Sequence, residues 1–222
     1  GMDMLSLMCR EKDDNGEFFD KELIIPQASF LLFAAHDTTT SVLNHMVYYT
    51  AMDKTWQQKM RDECLSVGKA ELEYEDLEKM KTVDQVFNES LRLRPSVSMF
   101  ARRTINECEI EGVKVPADAM VFCSAILNHR DPAFWTNPEA FDPDRFSDER
   151  QEHKNHSFAF HPFGGGAHKC IGMHFATMLS KTFMYKLLLK YEYELPANFK
   201  TRFEWVPLPK PAKLPIKWTR RA

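Results

Sequence analysis

Apolar and polar positions divide the chain into a helical first half and an irregular second half. The stretch "FFDKELIIPQASFLLFAAHDTTTSVLNHMVYYTAMDK" is apolar nearly all round at helical spacing, which predicts one long, central and buried helix from about Asp20 to Met52. Asp20 is placed to cap it, and Pro26 is either tolerated near that start or marks a kink or the true first turn. A second helix is predicted over Thr55 to Val67, and a third over Thr82 to Leu93 with Thr82 as cap and Pro95 as stop. Short strand-like pieces follow: "FARRTI", "CEIEGVKV" and "MVFCSA". Proline, aspartate and phenylalanine dominate from Asp131 to His161, which reads as a long ordered meander. A last helix starts just after Cys170 and runs to about Lys190, and the tail, "YEYELP" to "LPIKWTR", alternates like strand broken by prolines.

Bulk composition narrows the function classes. The 222 residues carry 44% hydrophobic and 27% charged side chains, enough apolar material for a sizeable core. A net charge of -3 offers no electrostatic footprint for nucleic acid. The five cysteines are odd in number and scattered, which speaks for a reducing compartment rather than a disulfide framework. The sequence has neither a signal peptide nor a transmembrane run, so a soluble, cytoplasmic protein is expected. Gly1 before Met2 has the look of a tag-removal scar.

Three clusters carry candidate chemistry. The first is "HPFGGGAHKCIGMHF", residues 161 to 175. Its glycines suit a surface turn, or a backbone that must approach something flat and bulky; the spacing around Lys169 is not that of a phosphate loop. Cys170 is expected at a helix N-terminus, where free N–H groups and the positive dipole end stabilise a thiolate. Such a thiolate serves as a nucleophile, a zinc ligand or a haem ligand. His161, His168, Cys170 and His174 are zinc-ligand types, but their spacing is not a standard zinc pattern. The second cluster is "FNESLRLRP", with Glu89 and Arg92 on one helix face among apolar neighbours. A semi-buried pair there needs a further partner, which Arg145 in "FDPDRF" is able to supply. The third is "FAAHDTTTS", polar residues inside an apolar helix whose threonine hydroxyls are able to bond back one turn and bend it.

Together these clusters resemble the cytochrome P-450 family, the haem-thiolate monooxygenases. "FGGGAHKCIG" matches the family's cysteine loop through Phe163, Gly166, Cys170 and Gly172; "ESLR" matches its paired Glu89 and Arg92; "PDRF" resembles the segment whose Arg145 completes a triad; "AAHDTT" resembles its distal helix motif. The resemblance implies a mainly α fold with small β-sheets, the C-terminal haem-binding half of a cytochrome P-450-like fold, over residues 20–222, with residues 1–19 a leader or the remainder of an upstream region.

By the same resemblance the cofactor is haem b and Cys170 is the ligand of its iron, with Gly164, Gly166 and Gly172 letting the loop lie against the porphyrin. His168 and Arg102 are the propionate partners, with Arg103 a second candidate, and Phe163 packs beside the thiolate. Ala34 and Ala35 line the distal groove, Ala35 standing where the family usually has glycine. Asp37 and Thr38 are the acid and alcohol of proton delivery. The implied partners are an apolar small-molecule substrate, O2, and a ferredoxin or flavoprotein electron donor, for which Lys169 is a docking charge. The chain is about half the family's length, so an uncovered apolar face and a homodimer are expected. The alternative is a non-catalytic remnant that folds or dimerises without stable haem.

Overall fold

The structure, a computed structural model, describes residues 3–221. It falls into two compact units, residues 1–38 and 39–222.

The first unit opens on a one-turn helix, α1 (Met4–Met8), whose cap Asp3 accepts the Ser6 N–H at 2.8 Å. A tight turn follows in which Asp13 Oδ1 takes the N–H groups of Asn15 and Glu17, both at 2.9 Å. The long helix α2 (Lys21–Met52) starts where predicted: the Asp20 carbonyl accepts from Leu23 and Ile24 at 3.1 and 3.0 Å. The expectation of burial all round fails here. Between residues 21 and 38 Ile24 is the one buried hydrophobic among the described residues, whereas Leu23, Ile25, Phe30, Leu32 and Phe33 are 49–77% exposed. Apolar periodicity reports what a helix is able to bury, not what the chain provides to cover it.

The second unit takes up α2 from Thr39, and from there the helix is largely buried. Helix α3 (Lys54–Val67) is capped by Asp53, which accepts from Thr55 and Trp56 at 3.0 and 3.2 Å, and it ends on Gly68 in the left-handed region. Helix α4 (Lys81–Leu93) differs from expectation at its start. Thr82 lies inside the helix, and the cap residue Met80 offers no side-chain bond. The Glu63 carboxylate of α3 takes over, accepting the Thr82 N–H at 2.7 Å and the Val83 N–H at 3.1 Å. Four two-stranded antiparallel sheets form among the described residues. Strand β1 (Met99–Arg103) pairs with β4 (Met120–Ser124), bracketing the hairpin of β2 (Cys108–Ile110) and β3 (Val113–Val115), whose turn residues Glu111 and Gly112 both have positive φ. A short α5 (Ala125–Asn128) leads into the predicted meander, and α6 (Met173–Lys190) follows the cysteine loop. The tail forms β5 (Tyr191–Glu194), β6 (Phe203–Glu204), β7 (Lys210–Pro211) and β8 (Lys217–Arg220), paired β5–β8 and β6–β7.

The core lies between α2 beyond Thr39, α3, α4 and α6, with Met46, Met60, Val86, Phe87, Met184 and Leu188 all 2% exposed or less. The tail is tied in by polar bonds: Tyr193 Oη meets Thr50 Oγ1 at 2.8 Å, and Gln57 Nε2 donates to Tyr193 O at 2.9 Å. Among the described residues no helix is long and apolar enough to cross a membrane.

Candidate functional site

Helix α4 and the meander meet in a buried ion network. Glu89 and Arg92 are fully buried rather than semi-buried. Arg92 donates from Nε to Glu89 Oε2 at 2.7 Å and from Nη2 to Glu89 Oε1 at 2.8 Å. Its remaining three N–H groups go to the carbonyls of His129 (2.8 Å), Pro138 (2.7 Å) and Ala140 (3.0 Å). All five guanidinium donors are thus used. Glu89 Oε1 also accepts the Asp142 N–H at 2.8 Å and stands 3.4 Å from Arg145 Nε. Burial pushes the Glu89 carboxyl above its ordinary range, against the bonds from Arg92.

Arg145, also fully buried, makes its hydrogen bonds elsewhere: Nη1 donates to Thr136 O and to Glu152 Oε2 (3.0 Å), and Nη2 to Asn137 O (2.7 Å). Glu152, which the sequence reading missed, is therefore its main hydrogen-bonding carboxylate. Burial pushes Glu152 up, but Arg150, the Thr136 N–H and Arg145 outweigh it and hold the carboxyl below its usual range. The signal was hidden because "SDERQEHK" reads as a solvated charge run. Breaking one partner of a buried pair costs about 3–5 kcal/mol, so the network fixes the path of the meander whatever its net stability.

The meander then delivers the chain to the cysteine loop. Trp135 is 1% exposed beneath the Arg92 guanidinium, with 5.2 Å from Cζ to the ring. Phe160 packs on Phe146 (4.9 Å) and on the His129 ring (5.2 Å). Phe163 enters the core, its ring 6.4 Å from that of Phe87 on α4. Its carbonyl accepts the Cys170 N–H at 2.9 Å, closing the loop. Gly164 and Gly166 lie at φ +71° and +70°, a region that favours glycine. A Cβ at Gly166 would meet nothing within 4 Å, and one at Gly165 would strike Phe158 at 2.9 Å. The loop therefore presents a bare backbone face.

Cys170 is exposed, as are His168 and Arg102. Its place differs from the expected helix N-terminus: α6 begins at Met173 with Gly172 as cap, and a Cβ on Gly172 would lie 3.8 Å from Cys170 Sγ. The Cys170 N–H is committed to the Phe163 carbonyl, and the residue precedes the first helical turn. Arg102 Nη1 donates to Ala101 O at 2.8 Å, whereas Arg103 is paired with Asp118 at 2.7 Å. Among the described residues no three His, Cys, Asp or Glu side chains form a metal-binding group.

Asp37 and Thr38 belong to the first unit, on α2. Asp37 Oδ1 meets His36 Nδ1 at 2.8 Å, and the Thr38 hydroxyl donates to Ala34 O one turn earlier at 2.6 Å. Ala35 is exposed.

The family model described as cytochrome P-450 matches residues 1–216. Cytochrome P-450 136 of Mycobacterium tuberculosis is 41% identical over 212 residues, 95% of this chain and 43% of its own length. Cytochrome P-450 3A9 of Rattus norvegicus is 34% identical over 200 residues, covering 87% of this chain and 39% of the relative. Among solved structures, a retinoic acid-bound cyanobacterial CYP120A1 superimposes with a TM-score of 0.94 at 31% identity, covering 99% of this chain and 51% of that one. The chain thus spans about half the length of the relatives it matches.

The cofactor of that family is haem b. The residues present fit it: a loop stripped of side chains at Gly166, a thiol exposed beside it, and an exposed guanidinium and imidazole on Arg102 and His168. The agreement of family model, relatives and fold establishes that this chain belongs to the cytochrome P-450 family.

Proposed function

We propose that this chain is the haem-binding part of a haem-thiolate monooxygenase that acts on an apolar small molecule with electrons from a ferredoxin or flavoprotein. Bound through a thiolate, haem b supplies reductive activation of O2: two electrons and two protons reduce one oxygen atom to water while the other enters a C–H or C=C bond. The observation that carries the reading is the cysteine loop, where Gly166 leaves a bare face beside an exposed Cys170 whose N–H is fixed on Phe163 O at 2.9 Å.

The protein's own residues then have these roles. Cys170 offers the thiolate. Gly164, Gly166 and Gly172 keep its surroundings free of side chains. Phe163, anchored on Phe87, limits water beside the sulfur. His168 and Arg102 give charge-assisted bonds to the two propionates. For Ala34, Ala35, Asp37 and Thr38 the distal role follows from sequence resemblance. The Thr38 hydroxyl spends its single proton on Ala34 O, so donating it elsewhere requires the hydroxyl to turn off that carbonyl.

The competing reading, a remnant that folds or dimerises without stable haem, draws support from the exposed apolar side chains of α2 before Thr39. Haemin titration followed by reduction under carbon monoxide separates the two. The monooxygenase reading expects a thiolate-type band in the unaltered chain and its loss in Cys170→Ala. A band that survives in Cys170→Ala removes Cys170 as ligand; failure to take up haem at all favours the remnant.

A further inference from the structure

His129 links two features that have so far been separate. It is completely buried, and no role in the ion network or the cysteine loop follows from its sequence position. Its main-chain carbonyl accepts from Arg92 Nη1 at 2.8 Å. Its ring nitrogen Nε2 accepts the backbone N–H of His161 at 3.0 Å. The His161 carbonyl in turn accepts the Gly164 N–H at 3.0 Å, and the Phe163 carbonyl accepts the Cys170 N–H at 2.9 Å. A path of hydrogen bonds joined through the covalent frames of His129, His161 and the Phe163–Gly164 peptide therefore leads from Glu89 and Arg92 to the turn that carries Cys170.

The chemistry of the ring suits this task. To accept at Nε2 the imidazole must be neutral, with its proton on Nδ1. Burial, with the nearby His161 and Arg92, depresses the ring to about 3, so it is neutral across the physiological range. Phe160 and His161 hold its plane, with ring centroids 5.2 Å away in each case. Nδ1 has no partner in hydrogen-bond geometry among the described residues, and the backbone of Arg92 and Leu91 on α4 offsets part of the depression of the ring. A buried polar ring is costly unless it is used, and its use is the His161 amide.

We propose that His129 is a positioning residue that transmits the fixed geometry of the buried Glu89–Arg92 pair to the loop bearing Cys170. Its meaning for haem ligation rests on the reading of Cys170 given above; the positioning itself does not. Without the ring acceptor, His161 loses its anchor and the turn from His161 to Gly164 shifts as a unit. The effect on Cys170 is indirect, because no atom of His129 is needed at the sulfur.

Amide hydrogen exchange on the 222-residue chain, resolved to single residues, tests this first in the unaltered protein. The His161 amide should be as protected as core amides of α4; exchange as fast as at exposed Asn155 would overturn the proposal. In His129→Leu, exchange at His161, Gly164 and Cys170 should rise by about tenfold more than at Met184 in the core, the scale of one net hydrogen bond. His129→Gln, which restores an acceptor, should recover most of that protection. Uniform loss of protection in the leucine variant, or equal loss in both variants, would mean that His129 only fills space. With haemin and carbon monoxide, His129→Leu should shift the band from thiolate type toward thiol type, and the glutamine variant should not. If the unaltered chain gives no thiolate band while the exchange pattern holds, the functional reading fails and the positioning role stands. If the band is present and neither variant alters it or the exchange pattern, the positioning role fails alone.

Discussion

At the scale of single residues, burial decides protonation. His45 on α2 is completely buried; its ring stacks on Phe203 at 5.8 Å, and neither ring nitrogen has a hydrogen-bond partner in good geometry among the described residues. Burial, reinforced by Arg94, depresses its pKa to about 3. An unfolded histidine takes up its proton near 6.5, so below that pH the unfolded chain binds a proton that the native chain refuses. The stability is fully present above pH 6.5 and is lost as the pH falls from there toward 3, amounting to about 2 kcal/mol between pH 7 and pH 5. His129 adds a second loss of the same sign. Urea unfolding at both pH values, on the unaltered chain and on His45→Leu, checks this. The variant should lose about 2 kcal/mol less over that interval, since carboxylate effects cancel in the comparison. An unchanged difference would show that His45 does not remain neutral in the native state. Neither histidine announces this in the sequence: "SVLNHMVYY" reads equally well as a helix with one wet residue.

At the scale of elements, several boundaries were legible and their causes were only partly so. Asp20 before α2, Gly68 after α3 and Pro95 after α4 are local signals and act locally. The start of α4 is different, because its cap comes from Glu63 on α3, and no spacing rule reaches across 19 residues. Glu63→Ala should therefore destabilise α4 rather than α3. A loss of about 1–2 kcal/mol is expected, since two first-turn N–H groups lose a charged acceptor. Amide exchange reports it directly: the Thr82 and Val83 amides should lose protection ahead of those in the body of α3. Equal loss in both helices would mean that the carboxylate holds the helix pair together and does not act as a cap. The cysteine loop divides in the same way. Its glycines and thiol were readable, while its anchoring through Phe163, His161 and His129 depends on partners 30 or more positions away, as with the 32-residue separation of His129 and His161.

At the scale of the molecule, apolar surface is the governing fact. Helix α6 exposes Phe175 (51%), Leu179 (39%) and Phe183 (41%), spaced four apart and therefore on one face, and Ile171 (82%), two residues ahead of the helix, is exposed as well. Exposed apolar stripes of this kind favour association. The 222-residue chain should self-associate in a concentration-dependent way, and Phe175→Glu with Phe183→Glu should shift it toward monomer. Light scattering coupled to size-exclusion chromatography decides the point. A monodisperse monomer across the concentration range would mean that solvent tolerates this face.

The sequence by itself determined the four long helices, the places of the strand-like pieces, the glycine-bare cysteine loop and the identity of the buried acid–base pair. Each of these follows from residue type and short spacing, which act through the backbone within a few residues. Tertiary structure alone decided that Glu89 and Arg92 are fully buried, that Arg145 takes Glu152 as its hydrogen-bonding carboxylate, and that Glu63 caps a neighbouring helix. It also decided that α2 is buried beyond Thr39 and exposed before it. Burial and long-range pairing depend on which surfaces the chain brings together, and a linear pattern records the capacity of a side chain to be covered but not what covers it.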